Sequence, residues 1–232
     1  MKPRFVQKPS TTTLRKGYFL HLTNRNLPRR GKKVKRRYRR VRKSYRTRGK
    51  SIDQRPMEAN ERSEFGHWEM DCVESWRGGR SCLLTLVERQ TNYSLNFKLL
   101  SQSQKQVKKQ LDRMERKLGR PAFSRVFKSI AVDNGSEFLD IQSLMSSLFA
   151  KKKPRAEIYY CHPYSSYERG SNEQMNGQIR RFIPKGMDIS TVSKGQVREI
   201  TNHLNTYPKR SLEGKTSEQL FHQELAKIGI AI

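Results

Sequence analysis

The chain has 232 residues and a formal net charge of +28, from 49 Lys and Arg against 21 Asp and Glu. That length suits one core of ordinary size with an appendage. No apolar run approaches the length of a membrane-spanning helix, and the charged N-terminus lacks the apolar segment of a secretory signal. Cys72, Cys82 and Cys161 all fall in apolar runs without a C-x-x-C pair. They read as reduced core residues, which argues against a disulfide framework or a zinc site and for a protein inside the cell.

The charge is lopsided. Residues 1–50 hold 20 Lys and Arg and no acid, leaving 29 Lys and Arg against all 21 acids in the remainder. Such an arm is expected to be disordered or extended by itself, because it repels itself and has little apolar surface to bury. Nucleic acid is its expected partner, with a membrane surface or a solubilising tail as the alternative. Within it, Arg36, Arg37, Arg39, Arg40 and Lys43 are candidate DNA contacts. Residues 51–66 turn to mixed charge and read as a lead-in, with a folded domain over 67–232.

In chain order, 67–74 and 81–88 are β-rich runs separated by the turn Arg77-Gly78-Gly79-Arg80. Tyr93, Leu95, Phe97 and Leu99 alternate with polar residues and predict a third, half-exposed strand, completing an antiparallel meander. Val107, Leu111, Met114 and Leu118 recur at helical spacing, and Gly119 and Pro121 stop that helix. A fourth strand is expected at 127–133, then a helix through Phe138, Ile141, Leu144 and Leu148, then a strand at 157–161. Helices near 171–183 and 194–207 close the pattern. The order fits an α/β fold with a five-stranded mixed sheet and helices on its faces.

Three acids stand in settings that call for a partner, because an unpaired buried charge is costly. Asp71 lies inside a strand and shares a face with Glu69. Asp133 ends its strand, where open α/β sheets place ligands, although Asp133-Asn134-Gly135 by itself is explained by turn chemistry. Glu173 falls in a first helical turn if Ser171-x-x-Gln174 forms a capping box. It then points away from the stripe Met175, Ile179 and Phe182 and shares a face with Asn176 and Arg180. A solvated helix start with a favourable Glu explains that segment equally well. Glu168 competes with Glu173 but lies about 140° away around a helix, so it is read as structural. Three oxygen ligands suit Mg²⁺ or Mn²⁺, and acids gathered in a basic chain suggest phosphodiester chemistry.

Trp68-Glu69-x-Asp71, Leu83 to Arg89, Asp133-Asn134-Gly135-Ser136-Glu137-Phe138, His162 to Glu173 and Ile179 to Gly186 together resemble one family. It is the DDE transposases of the insertion-sequence group numbered thirty, within the retroviral-integrase-like set, and the likeness runs from about Ser51 to about Leu225. The resemblance implies a ribonuclease H-like core with Asp71, Asp133 and Glu173 as catalytic metal ligands. Two Mg²⁺ or Mn²⁺ ions, supporting roles for Glu69 and Asn134, and DNA contacts from Asn176, Arg180, Arg181 and Lys185 follow from it. It implies 3′-end cleavage and strand transfer on double-stranded DNA, both element ends and target. A homodimer on DNA and a bacterial cytoplasmic, nucleoid-associated setting are further expectations, with no membrane partner. Similar proteins carry a helix-turn-helix before the core, which this chain is expected to lack. A DNA-binding remnant without chemistry and a ribonuclease H-like nuclease are the alternatives.

Overall fold

The computed structural model describes residues 49–150, 153–163 and 165–230. A mixed six-stranded sheet is its centre: β1 (Lys50–Ser51), β2 (His67–Glu74), β3 (Cys82–Glu88), β4 (Ser94–Leu99), β5 (Ser129–Val132) and β6 (Glu157–Tyr160). The order across the sheet is β1-β6-β5-β2-β3-β4. β1, β6, β5 and β2 run parallel, and β2, β3 and β4 form the antiparallel meander. The five expected strands are present. The sixth, β1, is only two residues long, too short for any periodicity to announce it.

Seven helices are described: α1 (Met57–Glu61), α2 (Gln104–Leu118), α3 (Arg120–Val126), α4 (Ile141–Met145), α5 (Gly170–Ile179), α6 (Lys194–Thr206) and α7 (Ser217–Lys227). Side chains alternate across β2, and the alternation divides the core. Trp68, Met70 and Cys72 join Val107 and Leu111 of α2 and Phe123 of α3 in one apolar cluster, together with Phe221 and Leu225 of α7. Val73 joins Leu83, Val87, Met175 and Ile179 of α5, and Val197 and Leu204 of α6, in another. Glu69 and Asp71 share the parity of Val73 and so lie on the α5 face.

Several local expectations are corrected. Gly119 ends α2 with a positive φ of 74°, but Pro121 does not stop the chain there. It occupies the first turn of α3, where its missing N–H costs nothing. The expected helix through Phe138 to Leu148 is reduced to a 3₁₀ turn at Ser136–Phe138 and the five-residue α4. β4 is not half-exposed: its polar residues Ser94 and Asn96 are buried beneath α6. The Asn205 side chain accepts from the Ser94 backbone N–H at 2.9 Å, and Asn96 donates to Thr201 at 3.1 Å. These bonds make a polar seam that alternation alone assigns to solvent.

Aromatic rings knit the first cluster. Trp68 stacks on Phe127, Tyr93 stacks on Phe221, and the Trp68 indole N–H donates to the Val126 carbonyl. Trp76, in the turn after β2, is 47% exposed. The three cysteines are free and buried. Burial pushes the Cys161 thiol up to about 12, which suits an inert core residue.

Candidate active site

β2 and β5 are paired in parallel with His67 opposite Ser129 and Glu69 opposite Ala131. Continuing that register two residues sets Asp71 opposite Asp133, just past the last residue of β5. Two carboxylates side by side repel unless a cation joins them, and Arg169 does so. Its guanidinium lies 3.2 Å from Asp71 Oδ1 and 3.1 Å from Asp133 Oδ2, and it also donates to the Met70 carbonyl at 3.3 Å. Burial disfavours the charge on Arg169, but Asp71 and Asp133 outweigh burial and hold its pKa above the usual guanidinium value. Burial, with Asp133 adding to it, raises the Asp71 carboxyl above the usual range even against Arg169.

The Asp71 carboxylate is fixed on both oxygens. Oδ1 accepts the Cys72 backbone N–H at 2.9 Å, and Oδ2 accepts from the Asn176 amide at 2.8 Å. Asn176 is oriented in turn by Thr85, which sits opposite Asp71 on β3 and whose hydroxyl lies 3.2 Å from Asn176 Oδ1. Asp133 is held by its own turn. Its Oδ1 accepts the Gly135 N–H at 2.9 Å, while Asn134 donates to the Cys161 carbonyl at 2.8 Å. A Cβ at Gly135 would lie 2.9 Å from Asp133 Oδ1 and 2.7 Å from a Glu137 oxygen, so the turn tolerates only glycine without displacing an acid.

Glu69 is fully buried. It pairs with Arg89, which is itself buried, and its other oxygen accepts the Asn172 backbone N–H at 2.8 Å. This carboxylate therefore supplies the anchor for the first turn of α5. The Ser171-x-x-Gln174 capping box does not form, because the helix begins at Gly170 and Ser171 lies inside it. Glu173 still falls in the first turn. It is exposed and lies three residues before Asn176. Among the described residues, no three His, Cys, Asp or Glu side chains are gathered closely enough to hold a metal ion. The donor chemistry still fits a divalent cation: Asp71 and Asp133 are carboxylates whose oxygens already share one cationic group. Glu168 is structural, accepting the His162 backbone N–H at 2.8 Å and contacting its ring at 2.7 Å.

The family described as the integrase core domain matches residues 61–165, which span β2 through β6 and both aspartates. The chain is also similar to a probable transposase for insertion-like sequence element IS1161 of Streptococcus salivarius, at 36% identity over 172 residues, 74% of this chain and 46% of that protein. A transposase for insertion sequence element IS4351 of Bacteroides fragilis is 32% identical over 180 residues, 78% of this chain and 52% of the relative. The Escherichia coli transposase InsI for IS30C is 28% identical over 175 residues, 75% of this chain and 43% of that protein. The chain spans about half the length of these curated relatives.

Around the two aspartates, the remaining predicted contacts divide. Arg180 donates to the Glu74 carbonyl at 2.7 Å and so ties α5 to the end of β2, with burial lowering its pKa. Arg181 and Lys185 are exposed, as is Phe182, which leaves the apolar stripe and meets His203 edge-on at 5.4 Å between ring centroids. Arg36, Arg37, Arg39, Arg40 and Lys43 lie outside the described residues. No helix among the described residues is long and apolar enough to cross a membrane. Sequence reasoning missed Arg169. Its only signal is that it is the one basic side chain inside the Glu168 to Asn176 motif, and no spacing rule turns that into a bridge between two distant aspartates.

Proposed function

We propose that this chain is the catalytic portion of a DNA transposase, which frees a 3′ end of an insertion element and joins it to target DNA. The observation that carries the reading is the Asp71–Asp133 pair, brought into register by the adjacent parallel strands β2 and β5 within the residues that match the integrase core domain. Asp71, Asp133 and Glu173 would hold Mg²⁺ or Mn²⁺, one or two ions. When bound, such ions lower the pKa of an attacking hydroxyl and stabilise charge on a displaced oxygen. Asn176 and the Cys72 N–H keep the Asp71 oxygens aimed, and the Gly135 N–H does the same for Asp133. Arg181 and Lys185, with the basic arm, would supply phosphate contacts, and two protomers would hold two element ends.

The test is a strand-transfer assay with Mg²⁺ or Mn²⁺ on duplexes carrying the element ends. Asp71→Asn, Asp133→Asn and Glu173→Gln should each abolish joining while duplex binding persists. Full joining by any one variant removes that residue from the ligand set. Duplex binding without joining by the unaltered chain, in every metal tried, returns the reading to a DNA-binding remnant.

A further inference from the structure

A second polar feature lies on another flank of α5. Ser171, Gln174, Met175 and Gln178 of that helix, with Val87, Asn92, Lys209 and Ser211, line a pocket of about 10 Å³, room for one water-sized group. Two observations there are independent of each other. Ser171 is only 4% exposed, and its hydroxyl has no hydrogen-bond partner among the described residues. Lys209 donates to the Asn92 carbonyl at 3.1 Å and to the Ser217 hydroxyl at 2.6 Å. Both partners are neutral, and an ammonium has three donors, so among the described residues one N–H and the charge of this half-buried lysine have no protein partner. Burial alone pushes the Lys209 pKa down to about 8.

A water would satisfy Ser171 but would leave the Lys209 charge unanswered. An anionic oxygen meets both needs. The turn that carries Lys209 adds exposed Arg210 and Lys215 against one exposed acid, Glu213, and exposed Arg62 lies 3.5 Å from the Asn92 side chain. The surroundings therefore favour a polyanion over a small neutral ligand. We propose that Lys209 and Ser171, with Gln174 and Gln178 at the rim, form a subsite for one phosphoryl oxygen of a DNA backbone. The subsite rests on the reading that the chain acts on DNA. It gives α5 two tasks: one face orients Asp71 through Asn176, and another grips a phosphate that fixes the duplex relative to that acid.

The test uses the full chain and acetic anhydride at pH 8, where a lysine with this pKa is partly neutral and reactive, with acetylation mapped by mass spectrometry. Reactions contain matched ionic strength of chloride, inorganic phosphate, or a DNA duplex at saturation. Both phosphate and duplex should slow acetylation of Lys209, and Ser171→Ala, which removes an unpartnered hydroxyl and no bond, should weaken the protection. Lys209→Gln should lower the slope of log binding constant against log salt by about 0.9, the loss of one phosphate contact. Protection by phosphate but not by bound duplex overturns the backbone as the source. Equal acetylation in all three, with an unchanged slope in duplex that is bound, overturns the subsite and leaves the transposase reading intact. Loss of joining in the strand-transfer assay, with protection by duplex retained, does the reverse.

Discussion

Arg169 is the residue on which the two aspartates depend. Its side chain is 11% exposed, between an Asp71 side chain at 23% and an Asp133 side chain at 39%. Arg169→Ala leaves two carboxylates facing each other. The expected cost is about 2 kcal/mol, below the 3–5 kcal/mol of a fully buried broken pair because both acids keep some solvent. Mn²⁺ should then raise the melting temperature of Arg169→Ala more than that of the unaltered chain, because a bound cation replaces the missing charge. Melting curves with Mn²⁺ and with chelator measure both effects, and equal shifts in the two proteins would remove Arg169 from the site. The local setting of each acid is legible in the sequence: a strand for Asp71, a strand end for Asp133, a helical first turn for Glu173. Their partner was not legible. Arg169 meets Met70 and Asp71 across about a hundred residues of chain, and no local pattern encodes that distance.

At the scale of elements, α5 is held by two carboxylate contacts of different kinds. Glu69 accepts the Asn172 N–H from below, and Asp71 accepts the Asn176 amide. Glu69→Ala removes the anchor and strands the buried Arg89 cation, so it should destabilise by about 3–5 kcal/mol, and Glu69→Gln should cost less because its carbonyl oxygen still accepts. Hydrogen exchange resolved at Asn172 checks the cause: its amide should lose protection in Glu69→Ala before the sheet amides do. The strands were readable because a run such as Cys82–Glu88 is buried along its whole length and rich in Leu and Val. The failures have specific causes. Pro121 reads as a stop although it lies in the first turn of α3, and β4 reads as half-solvated although α6 covers its polar side. Whether a polar face meets water or a polar helix is decided by tertiary contact, which alternation does not carry.

Across the whole molecule, the sheet separates an aromatic-rich face from the face that carries Glu69, Asp71 and α5. The sequence's charge is just as divided, with 20 of its 49 basic residues in the first 50. Deleting residues 1–48 spares β1, so the sheet should keep its stability while duplex binding weakens for all sequences alike and its salt slope flattens. Filter binding against salt, on end-containing and unrelated duplexes, checks this; a loss confined to one sequence would contradict it.

The positions of the two tryptophans have a practical consequence. Trp68 is sealed in the aromatic cluster, and Trp76 stands 47% exposed in the turn just beyond β2, the strand that carries Asp71. Indole emission shifts with the polarity around the ring, so the two should emit at different wavelengths and only Trp76 should yield to a dissolved quencher. The chain thus supplies an internal reporter of core melting and a separate one of events near the acids, with no label added.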